Sequence, residues 1–273
     1  MFQDARDYQI CFLSLFLLLG FCLKDWTLQL ETVGTAAVVC LATQAIASIL
    51  IAKSSESNLA SKDWLPSLRS ALITSLSLSL LLRTDHWLTM AFAAMVAIAS
   101  KFVFRINGKH VFNPANAGIV AAMIFTQDAW VSPGQWGEAG WLALIFIGAG
   151  GIVLGRVGRW DTSVVFLAVY SALMLGRDSW LGWSWDVWMH HLSSGSLLLF
   201  ALFMITDPRS IPDARWSRMG WAIGVASLTF ILQTGFAVPE AMFWSLFCLS
   251  PLTPLLDRWQ SSPRFQWQFP QPM

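Results

Sequence analysis

The segment KFVFRINGKHVFNPAN (residues 101–116) joins two apolar stretches and carries Lys101, Arg105 and Lys109 with no acidic residue. Under the positive-inside rule such a loop lies in the cytoplasm. Placing this one loop inside orients every other loop in turn. Read as ten apolar spans with a cytoplasmic N-terminus, the chain puts fourteen of its 17 Lys and Arg residues on the inner side. These are Arg6, Lys53, Lys62, Arg69, Lys101, Arg105, Lys109, Arg156, Arg159, Arg209, Arg215, Arg218, Arg258 and Arg264. Only Lys24, Arg83 and Arg177 stay outside. Losing one span would scramble this alternation, so span count, orientation and the face of each motif are linked.

Composition points the same way. The chain is 56% hydrophobic and 12% charged, with a mean hydropathy of +0.57. An average soluble domain carries about 25% charged residues. A soluble fold of this length has too little interior for so much apolar surface. The predicted class is therefore an all-α integral membrane protein in the plasma membrane, with both termini cytoplasmic. A net charge of +1 gives no support to a nucleic-acid partner. The first apolar stretch has no clear small-residue cleavage site after it and is expected to be a retained span.

The expected spans are Tyr8–Leu23, Thr32–Ala52, Leu68–Leu82, His86–Phe104, Ala115–Trp130, Ala139–Gly155, Thr162–Leu175, Ser193–Ile205, Met219–Phe236 and Pro239–Leu256. They form one membrane domain over residues 1–257, followed by a polar cytoplasmic tail, 258–273, that is expected to be disordered. The third, fifth and eighth spans are Ser-rich, short or interrupted. Such segments at similar places in two halves point to a binding site near the midplane. The halves, about 1–135 and 136–257, correspond loosely. Leu-Arg-Thr-Asp85 and Met-Ile-Thr-Asp207 each close a span, and Pro114 and Pro239 each open one. With five spans per half, the second half is inverted.

Two inner-face motifs carry the candidate site. In the first, Asn113 is placed to cap the fifth span, with Pro114 at its first position and Asn116 following. A helix N-terminus suits a phosphate or carboxylate, and Lys109 adds charge. The alternative is an ordinary cap beside anchoring charges. In the second, Thr206 and Asp207 precede Pro208 and end the eighth span, because the residue before proline avoids the α region. Asp207 is expected to pair with Arg209, Arg215 or a basic residue of the first motif. The alternative is a rigid turn with a surface ion pair. Gln127 and Asp128 lie either at the outer headgroups or in an ion path.

Trp130, Trp136, Trp180, Trp183, Trp185 and Trp188 cluster on the outer side, as an aromatic belt or as a stacking surface. The stretch 176–190 is expected to lie on the membrane as an amphipathic segment. The cysteines Cys11, Cys22, Cys40 and Cys248 read as buried packing residues, with a shared metal or iron–sulfur site at Cys22 and Cys40 as the alternative. His86, His110, His190 and His191 lack metal-site spacing and read as surface or interface residues. No catalytic triad or dinucleotide signature is present.

Four motifs occur in an order that resembles a known family. They are Asp4-Ala-Arg-Asp-Tyr-Gln-Ile10, Phe112-Asn-Pro-Ala-Asn-Ala-Gly118, Trp130-Val-Ser-Pro-Gly-Gln-Trp136 and Phe203-Met-Ile-Thr-Asp-Pro-Arg-Ser210. The chain is similar to the NqrB/RnfD family, the ten-span flavin subunits of sodium-pumping NADH:quinone oxidoreductase and of the Rnf electron-transport complex. The compact size looks most like stand-alone RnfD-like members. The resemblance implies two inverted five-helix halves, as also found in urea channels. It implies FMN, which many members carry esterified to threonine in a Gly-Ala-Thr motif. That motif is absent here, and residues 131–140 contain no threonine.

The resemblance therefore implies FMN or riboflavin held non-covalently, with quinone as an alternative. The site residues would be Lys109, Asn113, Pro114, Asn116, Thr206, Asp207 and Arg209. The role is electron transport coupled to ion movement, as at most one subunit of an oxidoreductase or translocase complex. Electrons would come from other subunits, because nothing in this chain supplies an NADH site. The competing function is a channel or transporter for a small solute or flavin-like molecule, with no redox step.

Overall fold

The computed structural model describes residues 4–23, 30–54, 64–131 and 140–267. Lys24, Lys62, Trp136, Glu138, most of the motif 130–136 and residues 268–273 lie outside the described residues. The chain divides into two compact units, which meet in sequence at Val131 and Ser132.

The first unit holds α1 (Ala5–Leu23), α2 (Leu30–Ser54), α3 (Trp64–Leu81), α4 (Trp87–Val103) and α5 (Pro114–Phe125). Among the described residues, α1 and α2 are the helices long and apolar enough to cross a membrane on their own. Only 28% and 17% of their apolar windows are buried within the protein. Leu18, Val38, Ile46 and Leu50 stand on exposed faces, which is where lipid would lie. The interior is built differently. Helix α4 packs against α2 and α5 through the small residues Ala93, Ala94 and Ala97. Gly118 brings α5 close: a Cβ there would lie 2.5 Å from the Ala93 carbonyl oxygen and 2.8 Å from the Ala97 Cβ. Small residues that admit close backbone approach are a usual basis of helix packing in membranes.

Two short β pairs interrupt the expected all-α pattern. Strand β1 (Leu82–Thr84) pairs antiparallel with β4 (Ala129–Val131), and β2 (Arg105–Ile106) pairs with β3 (Lys109–His110). The second pair is a hairpin, turned by Asn107 and Gly108 at φ 52° and 80°, the positive values that a type I′ turn requires. The fifth span, expected to reach Trp130, stops as a helix at Phe125. Thr126 donates its hydroxyl to the Ala122 carbonyl at 2.6 Å, and the chain beyond turns extended to meet β1.

The second unit holds α6 (Gly140–Val157), α7 (Trp160–Trp180), α8 (Trp185–Ser193), α9 (Gly195–Leu199), α10 (Arg215–Gly235), α11 (Ala241–Leu249) and α12 (Thr253–Trp259). Its core is aromatic. Phe200 lies 5.3 Å from Phe166 and 5.7 Å from Phe243, ring centre to centre. Helix α7, expected to end near Leu175, continues to Trp180. The expected eighth span is α9 followed by a π turn over Phe200–Met204. Together with α8 it forms a pair bent by 49°, either a broken span or a re-entrant loop. Helices α3, α4, α5 and α6 contain apolar stretches below 18 residues. The described helices thus give a membrane protein with two plain spans and several short or broken apolar helices.

The cysteine expectation holds for one residue. Cys40 is buried and its thiol faces the Ala94 carbonyl at 3.9 Å, whereas Cys11, Cys22 and Cys248 are exposed. Among the described residues, no three His, Cys, Asp or Glu side chains group as for a metal ion. His110, read from sequence as a surface or interface residue, is buried. In the tail, Gln260 accepts a hydrogen bond from the Ser217 hydroxyl at 2.8 Å, and Phe265 lies 5.7 Å from the Arg159 guanidinium carbon.

Candidate functional site

The seven predicted site residues fall in two places, before and at the start of α5 in the first unit and just after the π turn in the second. In the first unit, Asn113 caps α5: its side-chain oxygen accepts the Asn116 N–H at 3.1 Å, and its carbonyl accepts the Ala117 N–H at 2.9 Å. Pro114 stands at the first helical position. Asn113 and Asn116 are both buried, Asn116 completely. Lys109 is placed four residues earlier, on the second strand of the β2–β3 hairpin. The loop is thus a hairpin that delivers the chain into a buried, capped helix start.

In the second unit the π turn delivers the chain into the Thr206–Asp213 motif. The Ile205 N–H bonds to the Phe200 carbonyl at 2.9 Å, five residues back. Two side chains also bond to carbonyls of this turn. Ser163 of α7 donates to the Ala201 carbonyl, and Thr206 donates to the Leu202 carbonyl at 3.1 Å. On the other side α6 approaches so closely that a Cβ on Gly150 would lie 2.8 Å from Leu202. π turns inside helices are frequent at functional sites. Asp207 closes an Asx turn, its carboxylate accepting the Arg209 N–H at 3.1 Å. This link to Arg209 runs through its backbone amide, the arrangement of the rigid-turn alternative. Arg215 is directed elsewhere, 3.8 Å from the Asp161 carboxylate.

The strongest polar feature of the second unit is a buried ion pair that reasoning from the sequence did not single out. The Arg218 guanidinium bonds both Asp161 oxygens, with Nε–Oδ1 at 3.0 Å, and also donates to the Pro212 and Asp213 carbonyls. Both side chains are almost fully buried. Arg159 donates to the Asp213 carbonyl at 3.3 Å, Asp257 accepts the Asp213 N–H at 2.8 Å, and Thr253 donates to the Ser210 carbonyl at 3.2 Å. The Thr206–Asp213 turn is therefore held from α7, α10 and α12. The signal was present in the sequence as an acid just inside α7 and two arginines three apart at the start of α10. The first unit has a parallel in Lys101, which donates to Gln44 at 2.8 Å and Ser70 at 3.1 Å from a buried position.

Asp128 is not isolated. Its carboxylate accepts the His86 N–H at 3.1 Å and the Thr89 hydroxyl at 2.7 Å, at the start of α4. Its carboxyl is held below the usual range: desolvation would raise it, and the hydrogen bonds from Thr89 and from backbone N–H groups, with the nearby His86, together outweigh that effect. Of the tryptophans expected on the outer side, Trp130, Trp180, Trp183 and Trp185 are exposed. The Trp183 ring lies 4.7 Å from the Arg177 guanidinium carbon.

The threonine nearest the end of α5, Thr126, spends its hydroxyl on the helix. The capped start of α5 carries the positive pole of the helix.

The profile of the NQR2, RnfD, RnfE family matches residues 123–266, just over half of the chain. The chain belongs to the NQR2, RnfD, RnfE family. The matched region contains the bent α8–α9 pair, the Thr206–Asp213 turn and the Asp161–Arg218 pair. Among the relatives is the D subunit of the ion-translocating oxidoreductase complex of Stutzerimonas stutzeri, 34% identical over 127 residues, 46% of this chain and 36% of that protein. The protein of the same name from Pseudomonas aeruginosa (strain LESB58) is 24% identical over 250 residues, 69% of this chain and 72% of its own length. The D subunit of the Na(+)-translocating ferredoxin:NAD(+) oxidoreductase complex of Acetobacterium woodii is 28% identical over 147 residues, 52% of this chain and 43% of its own. In the first of these alignments the chain spans about a third of the relative's length.

Proposed function

We propose that this chain serves as a D-type membrane subunit in ion-coupled electron transport, in a plasma membrane and beside other electron-transport subunits. The observation that carries this reading is the family match, which runs through the whole Thr206–Asp213 motif, with relatives named as D subunits of ion-translocating oxidoreductase complexes. The bent α8–α9 pair and its π turn, which lead into Thr206–Asp207, add support because interrupted spans are where transport proteins place their ligands. In this reading the chain makes ten spans in two inverted halves, with both termini in the cytoplasm.

The ligand is a flavin or a quinone held non-covalently at these helix ends, Asn113–Asn116 in the first unit and Thr206–Asp207 in the second, each read as a site within its own unit. A bound flavin or quinone would supply the electron-carrying step. The chain's own residues would orient it, through the capped start of α5 and Lys109 in the first unit, and through the Asp207–Arg209 turn in the second. The test is the absorbance of the detergent-purified protein between about 300 and 550 nm, before and after acid precipitation. Flavin released to the supernatant is the expected result. Asn113→Ala and Asp207→Ala, made separately, should each lower ligand retention while leaving the unfolding temperature within a few degrees. Unchanged flavin or quinone content in both variants excludes these helix ends as the site. A colourless, quinone-free protein that takes up a solute into liposomes would replace this reading with transport.

A further inference from the structure

The C-terminal end of α7 carries buried polar atoms that neither motif uses. Asp178 is 2% exposed, and one of its carboxylate oxygens, Oδ2, has no hydrogen-bond partner among the described residues. The other oxygen lies 3.5 Å from the Arg177 Nη1. On the neighbouring helix α8, the Nε2 atom of His191 is likewise buried and without a partner among the described residues. The two helices are fastened together by the Trp188 indole, which donates to the Ser171 carbonyl at 3.0 Å. The Asp178 carboxylate and the His191 imidazole are within electrostatic range of each other. A buried carboxylate oxygen and a buried imidazole nitrogen left unpaired are costly, and functional sites are a recognised reason for keeping them.

We propose that Asp178 and His191 together form a buried proton-binding site at the junction of α7 and α8. One proton from water adds to Asp178 Oδ2 or to His191 Nε2, and no other bond forms or breaks. The pair is neutral with that proton and carries one negative charge without it. The other titratable groups near it are Arg177 and Tyr170 on α7 and His190 on α8. Helix α9, packed against α8, carries no ionisable residue. Arg215 and Arg218 of α10 meet Asp161 at the opposite end of α7. The bend between α8 and α9 begins at Ser194, three residues beyond His191, so protonation acts next to the break in the chain.

The site is separate from the proposed flavin or quinone site, and its test needs neither ligand nor any other protein. The full chain, with 15N-labelled histidine, is placed in nanodiscs and titrated by NMR. The His191 signal is identified by its loss in His191→Gln. In Asp178→Asn, His191 should titrate about one pH unit lower than in the parent protein, with His86 and His110 unmoved. Asp178→Glu should restore most of the difference. An unchanged His191 titration, or an equal shift at all histidines, overturns the site. Should Asp178→Asn fail to fold, His191→Gln gives the reciprocal reading. The infrared band of the Asp178 carboxylic acid should then change its pH of appearance, and an unmoved band overturns the proposal.

Discussion

Arg218 holds four acceptors at once, and its arrangement separates the cost of losing it from the worth of the contact. Asp161 is taken out of water by folding and is tolerable there because the guanidinium fork meets both its oxygens. Removing one partner from such a pair leaves an uncompensated buried charge, which costs about 3–5 kcal/mol. Arg218→Ala should therefore lower stability by that order in a denaturant or thermal unfolding measurement. The double change Asp161→Asn with Arg218→Met should recover much of the loss. Arg218→Lys should recover little, because an ammonium cannot span both carboxylate oxygens and also reach the Pro212 and Asp213 carbonyls. A single variant no more sensitive than an exposed substitution would show that the pair does not hold the Thr206–Asp213 turn.

Helices in this protein approach closely at glycine. A valine at position 118 would press its Cβ into the Ala93 carbonyl, a backbone atom that cannot swing aside. Gly118→Val should cost about 1–3 kcal/mol or more, the usual range for overpacking. Gly148 is the matched control. It lies on the exposed face of α6 with open space around it, and Gly148→Val should stay within about 0.5 kcal/mol. Equal effects at both positions, read by unfolding temperature in one detergent, would argue against a tight α4–α5 contact.

The helix starts at Asn113 and Arg215 were legible from sequence to within a few residues, because proline, asparagine and clustered charge mark ends locally. The β1–β4 pair was not legible. Its partners, Leu82–Thr84 and Ala129–Val131, are more than forty residues apart, and three residues give no period to read. The site was legible in part for the same reason. The cap made by Asn113 and the turn made by Asp207 are local chemistry. The Asp161–Arg218 contact joins residues 57 apart, and the Asp178–His191 pairing depends on how α8 folds back beside α7.

At the scale of the molecule, the charge asymmetry is a claim about topology that single-cysteine labelling can decide. In a background with Cys11, Cys22, Cys40 and Cys248 replaced, Lys109→Cys and Arg209→Cys should react with an impermeant thiol reagent only when the membrane is opened. Trp183→Cys should react in intact cells. These positions sit on the hairpin, on the Asp207 turn and between α7 and α8. Labelling of Lys109→Cys from outside would reverse the orientation, and labelling of Lys109→Cys and Arg209→Cys from opposite sides would change the number of spans.

The π turn at Phe200–Met204 adds one residue to a helical circuit, and an α-helix advances about 100° per residue. It therefore acts as a phase slip. Side chains before it and after it keep different clocks. Leu198 and Leu199 serve the interior, while Thr206 and Asp207 arrive rotated away from the direction an unbroken helix would have given them. Deleting one residue from the turn would bring the two halves back into step and point the Thr-Asp-Pro corner elsewhere, although every residue of that corner would still be present.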